Sequence, residues 1–443
     1  MAVQSHFEAA RGRPEGVDVD LRRLLNLVER LADYRDSRVS LISSENVTSN
    51  LLRASYSLGL SDQYCSRLPS RASDVGNLSF SNISALDEVN DAARRLAMEL
   101  FDAAEVDLRP LSGLSGLNIL LFALLESGQL LHRIDETDGG HLSTGPITRR
   151  LGIRTRALRL NARYRLDLDH FRRLVEVERP SAVMLDSSYV LFPYPVAAIR
   201  EIVGPDVTII YDASHLIAMV ATGEFQSPFG EGADVIHATT HKTLWGPQKS
   251  MVLFRRQDER VARVQDVAKD LVSNTHLHHM LALYVALVEF RHFGREYARG
   301  IKANAKSFAA ALRRHGLDVV AADQDFTESN QVWVRLGGQE RATALFRLAD
   351  RTNVSVNVIF LPGGGWGWRL GVNELTRLGA GAAEFDVLAA LLAGLVSGRL
   401  QAQDVTIEAA RLRRSLGAPK FTFDRHPDAR RTIELISSRL RAP

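Results

Sequence analysis

Hydrophobic and polar positions are spaced in two ways along this chain, and the difference separates strands from helices. Short apolar runs occur at residues 181–187 (SAVMLDS), 207–212 (VTIIYD), 234–238 (DVIHA) and 250–254 (SMVLF). Runs of this length, rich in branched residues, predict strands buried on both faces. Elsewhere the spacing is helical. Leu21, Leu24, Leu25, Val28 and Leu31 predict a helix over 20–34. Residues 117–125 read as a buried helix and 277–308 as one long helix, while 317–320 and 331–334 predict strands and 342–351 a helix. From 149 to 254 strand and helix patterns take turns. That order predicts an α/β fold, a mostly parallel sheet with helices on both faces, followed by a smaller α+β part.

Composition fits an ordinary globular chain. The 443 residues are 45% hydrophobic and 24% charged, enough for a large core and two or three domains. The net charge is +3, and the arginines are scattered rather than clustered, so no nucleic-acid footprint is expected. Cys65 is the single cysteine, which excludes an intrachain disulfide and fits a reducing, cytoplasmic compartment. Residues 1–18 read as a polar arm without the apolar core of a signal peptide, and 117–125 is too short to span a bilayer.

The chemistry concentrates between the two strand patterns 234–238 and 250–254, where the turn reads Thr239-Thr240-His241-Lys242-Thr243. A lysine at the mouth of two buried strands is costly unless paired or used. Imine formation with a carbonyl, above all with pyridoxal phosphate, uses such a lysine. The plainer reading is a solvated loop lysine. About thirty residues earlier Asp212 ends a buried strand, ahead of Ser214 and His215. It suits a helix cap equally well, but a carboxylate there can also pair with a protonated pyridine nitrogen. Ser112, Gly113, Leu114 and Ser115 open an apolar helix, whose free N–H groups suit an anion such as a phosphate; any turn before a helix would look similar. Gly363-Gly364-Gly365 reads as a flexible lead into Trp366, Trp368 and Arg369. His278 and His279 read as loop or interface histidines, without paired ligands for a metal.

D-A-S-H at 212–215 followed by T-T-H-K-T-L-x-G-P from 239 resembles the serine hydroxymethyltransferase family of fold-type I pyridoxal-phosphate enzymes. LISSENVTSN at 41–50, RPLSGLSGLN at 109–118, DGGHLSTG at 138–145 and GWGWRLGVNELTRLG at 365–379 match it in order, so the resemblance covers residues 24–398. It implies pyridoxal 5'-phosphate as cofactor and Lys242 as its imine partner. It further implies Asp212 at the ring nitrogen, His141 stacked on the ring, Ser188 near the ring oxygen and His215 above that oxygen or the substrate carboxylate. Thr239, His241 and Tyr64 would line the cofactor site, and Ser112, Gly113 and Leu114 would cradle the phosphate. Ser44, Tyr64 and Arg369 would hold the amino acid substrate, Arg369 by a bidentate pair with its carboxylate. The implied division is an N-terminal arm and helix (1–36), a cofactor domain (37–290), a smaller domain (291–405) and a tail with a terminal helix (406–443). A homodimer gripped by the N-terminal helix is expected.

The chain also departs from the family's folate enzymes. Tyr64 matches their first tyrosine, but Ser66 stands where they carry a glutamate, and their tyrosine pair is missing from 71–76. Serine cannot act as a carboxylate acid or base near neutral pH. Thr144 replaces a second histidine, and Trp245 and Gln248 replace two arginines. The stretch G-P-Q-K at 246–249, FTESNQVWV at 326–334 and FTFD at 421–424 resemble a divergent branch, the L-threonine transaldolases of secondary metabolism. The expectation is therefore a pyridoxal-phosphate enzyme that takes L-threonine or a similar β-hydroxy amino acid, breaks its Cα–Cβ bond, and adds the glycyl carbanion to an aldehyde acceptor. His141 and His215 are the candidate bases for the hydroxyl proton. The alternative is a tetrahydrofolate-dependent serine (or α-methylserine) hydroxymethyltransferase. No membrane or nucleic-acid partner is expected.

Overall fold

The computed structural model describes residues 17–64 and 84–441. The start of the N-terminal arm, Cys65, Ser66 and the stretch 71–76 lie outside the described residues.

The apolar runs form the middle of a seven-stranded sheet. Its spatial order is Glu105–Asp107, Ser250–Phe254, Val235–Thr239, Thr208–Asp212, Ala182–Leu185, Leu130–Ile134, Arg154–Leu158. The last five strands run parallel; Ser250–Phe254 is antiparallel to Val235–Thr239, and Glu105–Asp107 to Ser250–Phe254. The runs are unbroken because both faces are covered, so alternate residues feed two separate cores. Val183, Leu185, Ile209 and Tyr211 enter one core, while Met184, Ile210, Val235 and Val252 enter the other. Helices Ser84–Phe101 and Leu277–Arg314 contribute to the first core, and helices Gly113–Leu124 and Glu259–Leu271 to the second. The mostly parallel α/β sheet predicted from the strand-helix alternation is thus present.

The smaller part is an antiparallel sheet in the order Asn357–Phe360, Trp366–Gly371, Gln331–Gly337, Asp318–Val319. Arg369 lies opposite Trp333 in its register. A short parallel pair, Val39–Ser40 with Val354–Ser355, ties the segment before the 41–50 motif to this part. Helix Leu277–Arg314 runs through residue 290 and is buried along its length, from Leu277 and Leu283 to Phe308 and Leu312. The run Gly363-Gly364-Gly365 is not a flexible lead. It turns the hairpin between Asn357–Phe360 and Trp366–Gly371, and all three residues have positive φ (+81°, +97°, +85°). The backbone conformation requires glycine there, since L side chains are disfavoured at such φ.

The N-terminal helix, predicted over 20–34, spans Val17–Ser37. Its apolar stripe is uncovered in the single chain, with Leu21, Leu24, Leu25, Val28 and Leu31 each more than half exposed. At the other end, helices Ala402–Leu416 and Pro427–Arg441 flank the FTFD stretch. Asp424 accepts hydrogen bonds from the N–H groups of Asn50 (2.9 Å) and Leu51 (3.0 Å), which open helix Asn50–Tyr56. That places a carboxylate at the positive end of the helix. Among the described residues no helix is long and apolar enough to cross a membrane, and no group of three or more His, Cys, Asp or Glu could hold a metal.

Candidate active site

Parallel strands deliver the residues that follow them to one edge of the sheet, where α/β proteins bind their ligands. His141 follows Leu130–Ile134, Ser188 follows Ala182–Leu185, Asp212 ends Thr208–Asp212, and Lys242 follows Val235–Thr239. These four, with His215 and His241, line one cavity.

Asp212 is held by two donors. Ser214 N–H lies 2.8 Å from Oδ1, and His237 Nδ1 lies 3.0 Å from Oδ2. Burial favours the neutral acid, yet the hydrogen bonds from His237 and from Ser214 N–H, with the Lys242 ammonium, outweigh it and hold the carboxyl well below the ordinary range. Lys242 shows the opposite balance. Burial lowers its ammonium to about 8, Asp212 opposes this and Arg369 adds to it. Its Nζ stands 3.2 Å from His215 Nε2, and its backbone carbonyl accepts from Asn46 Nδ2 at 2.6 Å. A fraction of neutral amine is therefore available near neutral pH, as a nucleophile needs. His215 is buried, and burial, with Lys242 and Arg369 nearby, keeps its imidazole well below the ordinary value. Burial likewise lowers His141, and lowers His241 to about 4. His141 Nδ1 accepts from Ser143 N–H at 3.3 Å. The glycines before His141 serve close approach: a side chain on Gly140 would run into the Ile134 carbonyl.

Gly113 and Leu114, at the start of helix Gly113–Leu124, also line the cavity. Ser112 is the helix cap: its Oγ accepts from Ser115 N–H at 3.1 Å and does not face the cavity. Thr239 lines the cavity, but its hydroxyl donates to the Ser214 carbonyl at 3.1 Å. Arg369 is 8% exposed and reaches across from the small sheet. Its Nη1 donates to the Ser188 carbonyl at 2.9 Å, its guanidinium lies 4.9 Å from the Tyr189 ring centre, and its buried Nε has no hydrogen-bond partner among the described residues. Burial lowers it to about 10, still a cation. An unpaired guanidinium N–H beside the site fits an incoming carboxylate. Together these groups fit pyridoxal phosphate: an amine, a carboxylate for the ring nitrogen, a flanking imidazole and a helix start for the phosphate.

Other sequence candidates fall outside the cavity lining. Ser44 is half-buried, and Tyr64 is 54% exposed. Trp245, read from sequence as a lost pocket arginine, is a core residue. It is fully buried, with its ring centre 4.7 Å from that of Tyr297 and 5.4 Å from that of Phe290, and Arg377 stacks over it at 3.8 Å. Gln248 is exposed. The two positions therefore do not face one pocket. Lys249 is buried in the wall, and its Nζ donates to the Arg109 carbonyl at 3.4 Å.

Three contributors escaped the sequence reading. His237 sits within a strand that reads as apolar, and Asn46 is identified only by its bond to Lys242. Asp186, which follows the strand beside Asp212, lines the cavity; burial pushes its carboxyl up to about 7, and its Oδ1 accepts from Ile134 N–H at 3.3 Å. A carboxylate following a buried strand, as at Asp212, was the available signal.

Comparison with known proteins agrees with this geometry. The family described as serine hydroxymethyltransferase matches residues 17–392. A serine hydroxymethyltransferase of Methanopyrus kandleri is 35% identical over 91% of this chain and 95% of its own length. A fluorothreonine transaldolase of Streptantibioticus cattleyicolor is 32% identical over 94% of this chain and 67% of its own. The crystal structure of L-threonine transaldolase from Pseudomonas fluorescens in internal aldimine state superposes with a TM-score of 0.90 at 27% identity, covering 96% of this chain and 98% of that one.

Proposed function

The chain belongs to the serine hydroxymethyltransferase family, and within it we propose that it acts as an L-threonine transaldolase. It cleaves the Cα–Cβ bond of L-threonine or a similar β-hydroxy-α-amino acid, releases an aldehyde, and joins the retained glycyl unit to a second aldehyde. The enzyme is a pyridoxal-phosphate-dependent transferase. The observation that carries the finer reading is Ser66 at the position of the folate enzymes' glutamate. Likeness to two transaldolases supports it. The 35% identity to a serine hydroxymethyltransferase supports the second reading, tetrahydrofolate-dependent hydroxymethyl transfer from serine or α-methylserine.

Pyridoxal phosphate, when bound, supplies an electron sink for the pair left by the broken Cα–Cβ bond. The protein's groups do the rest. Lys242 Nζ would hold the cofactor, its neutral amine fraction serving as the nucleophile. Asp212, kept anionic, would pair with the ring nitrogen and hold a proton there. Arg369 orients the substrate carboxylate with its free Nε. Gly113 and Leu114 at the helix start receive the phosphate, and Ser188, Thr239 and His241 complete the cofactor wall. His141 already accepts from Ser143 at Nδ1, which leaves its proton on Nε2 and would make it a donor within the cofactor site. His215 Nε2, now 3.2 Å from Lys242 Nζ, is then the imidazole nitrogen assigned to the hydroxyl proton once the Lys242 amine is engaged elsewhere. Ser44 and Tyr64 are assigned to the substrate side. In this reading the enzyme works in the cytoplasm as a homodimer, with a second copy covering the apolar stripe of helix Val17–Ser37, and serves secondary metabolism.

The test is purified holoenzyme with L-threonine and a panel of aldehydes, with and without tetrahydrofolate, and products read by mass. New β-hydroxy-α-amino acids formed without folate support the transaldolase reading. Turnover of L-serine that requires tetrahydrofolate, with no new product from threonine and aldehydes, overturns it in favour of the second.

A further inference from the structure

From the cavity lining inward, three neighbouring strands place Asp212, His237 and Ser250 in hydrogen-bonding sequence, with Asp212 and His237 lining the cavity and Ser250 beyond it. Asp212 and His237 are register partners on parallel strands, and Ser250 belongs to the next, antiparallel strand. His237 Nδ1 lies 3.0 Å from Asp212 Oδ2, and Nε2 lies 3.0 Å from Ser250 Oγ. His237 is 2% exposed and Ser250 is fully buried. Among the described residues neither the ring nor the Ser250 hydroxyl has another side-chain or backbone partner. The second core's helix Gly113–Leu124 closes the pair from above. A side chain on Gly116 would run into Ser250 Oγ and stand 2.6 Å from His237 Nε2, so only glycine leaves room for it.

The donors and acceptors can be assigned. An ionised carboxylate only accepts, so His237 carries a proton on Nδ1. The Ser250 hydroxyl is buried and needs an acceptor, and Nε2 is the one in reach. Nε2 is therefore bare, and the ring is neutral. The opposite arrangement would bury an imidazolium and strand the serine proton. We infer that His237, locked by Ser250 as the neutral Nδ1–H form, is a positioning residue that orients Asp212 toward the cofactor's ring nitrogen without placing a competing positive charge behind it. A cation there would pair with Asp212 and weaken its hold on the ring-nitrogen proton. The other groups facing Asp212 are Ser214 N–H on its own turn, Lys242 and His141 from neighbouring turns, and Asp186 beside it. None of them contacts His237 in place of Ser250.

This inference rests on Asp212 meeting the ring nitrogen, so its test has one arm that does not. ¹⁵N NMR of histidine-labelled protein, with and without cofactor, at neutral to mildly alkaline pH, should show His237 with one protonated nitrogen, Nδ1, and one bare one. Ser250→Ala should shift the Nε2 signal toward protonation. A wild-type His237 found as imidazolium or as the Nε2–H form overturns the inference whatever the reaction proves to be. The second arm compares His237→Asn, whose amide can replace the Nδ1–H donor, with His237→Ala. The alanine variant should lose about 10- to 100-fold in kcat with threonine at little change in KM, and the asparagine variant should recover most of it. Equal loss in both overturns the positioning role. If instead Asp212→Asn leaves turnover unchanged, the pairing with the ring nitrogen fails, while the NMR result stands on its own.

Discussion

Lys242 and Lys249 lie on one connection between two buried strands, and burial lowers both ammonium groups to about 8. The similarity ends there. Lys242 faces a cavity with Asp212, His215 and Arg369 around it. Lys249 is sealed in the wall against the Arg109 carbonyl, with Asp107 as its nearest compensating charge. A depressed lysine is thus a mark of burial before it is a mark of chemistry. What separates the two is whether space and complementary groups are waiting at the ammonium.

The sharpest way to break this comparison is to remove each lysine in turn. Lys242→Ala should abolish cofactor trapping by borohydride and lower turnover by at least about 10³-fold. Lys249→Met should leave both within about threefold. A trapped cofactor on Lys249 in the Lys242 variant, read by peptide mass, would reverse the assignment. The next largest effect is at the carboxylate that tunes Lys242. Asp212→Asn should bind cofactor yet lose about 10²-fold in rate, about 3 kcal/mol, measured by steady-state kinetics. Arg369→Lys keeps a charge but not the planar fork, and should raise KM for threonine about tenfold with less effect on kcat.

The smallest effect tests the quiet partner. The Lys249 pKa falls from 10.5 unfolded to about 8 folded, so the unfolded chain binds more protons between those values and wild-type stability rises with pH across that window. Below about 8 the full burial penalty is present. Lys249→Met removes it and should be more stable than wild type at pH 7 by up to about 1–3 kcal/mol, less the lost bond to Arg109. The advantage should shrink as pH rises toward 10.5. A difference that stays constant across pH would show that the folded and unfolded chains hold the Lys249 proton equally, so that burial does not lower it.

Much of this was readable from residues alone, for physical reasons that also mark the failures. The strands 235–239 and 250–254 were legible because both faces are buried, which writes an unbroken apolar run. Lys242 and Asp212 stood out as charges at the ends of such runs. His237 did not, because it lies inside one, and only the neighbouring strands reveal that its polar edge meets Asp212 and Ser250. Trp245 was misread for the converse reason. Its sequence neighbours are catalytic, but its backbone adopts φ +55°, and the ring lies in the core between Phe290, Tyr297 and Arg377. The glycine run at 363–365 looked like slack and is a tight turn with a demanding backbone.

The helix Leu277–Arg314 is 38 residues long, about 57 Å at the usual rise. Its early turns pack against helix Ser84–Phe101 and the Trp245 ring, three residues after Lys242, and its later turns against strands Gln331–Gly337 and Asp318–Val319 of the sheet that carries Arg369. A loop between the two would let each part unfold by itself. A continuous buried helix does not, since fraying either end strips apolar cover from a shared core. The two parts should therefore lose structure in one cooperative transition, and the spacing between the lysine and the arginine is set by a rod rather than by a joint.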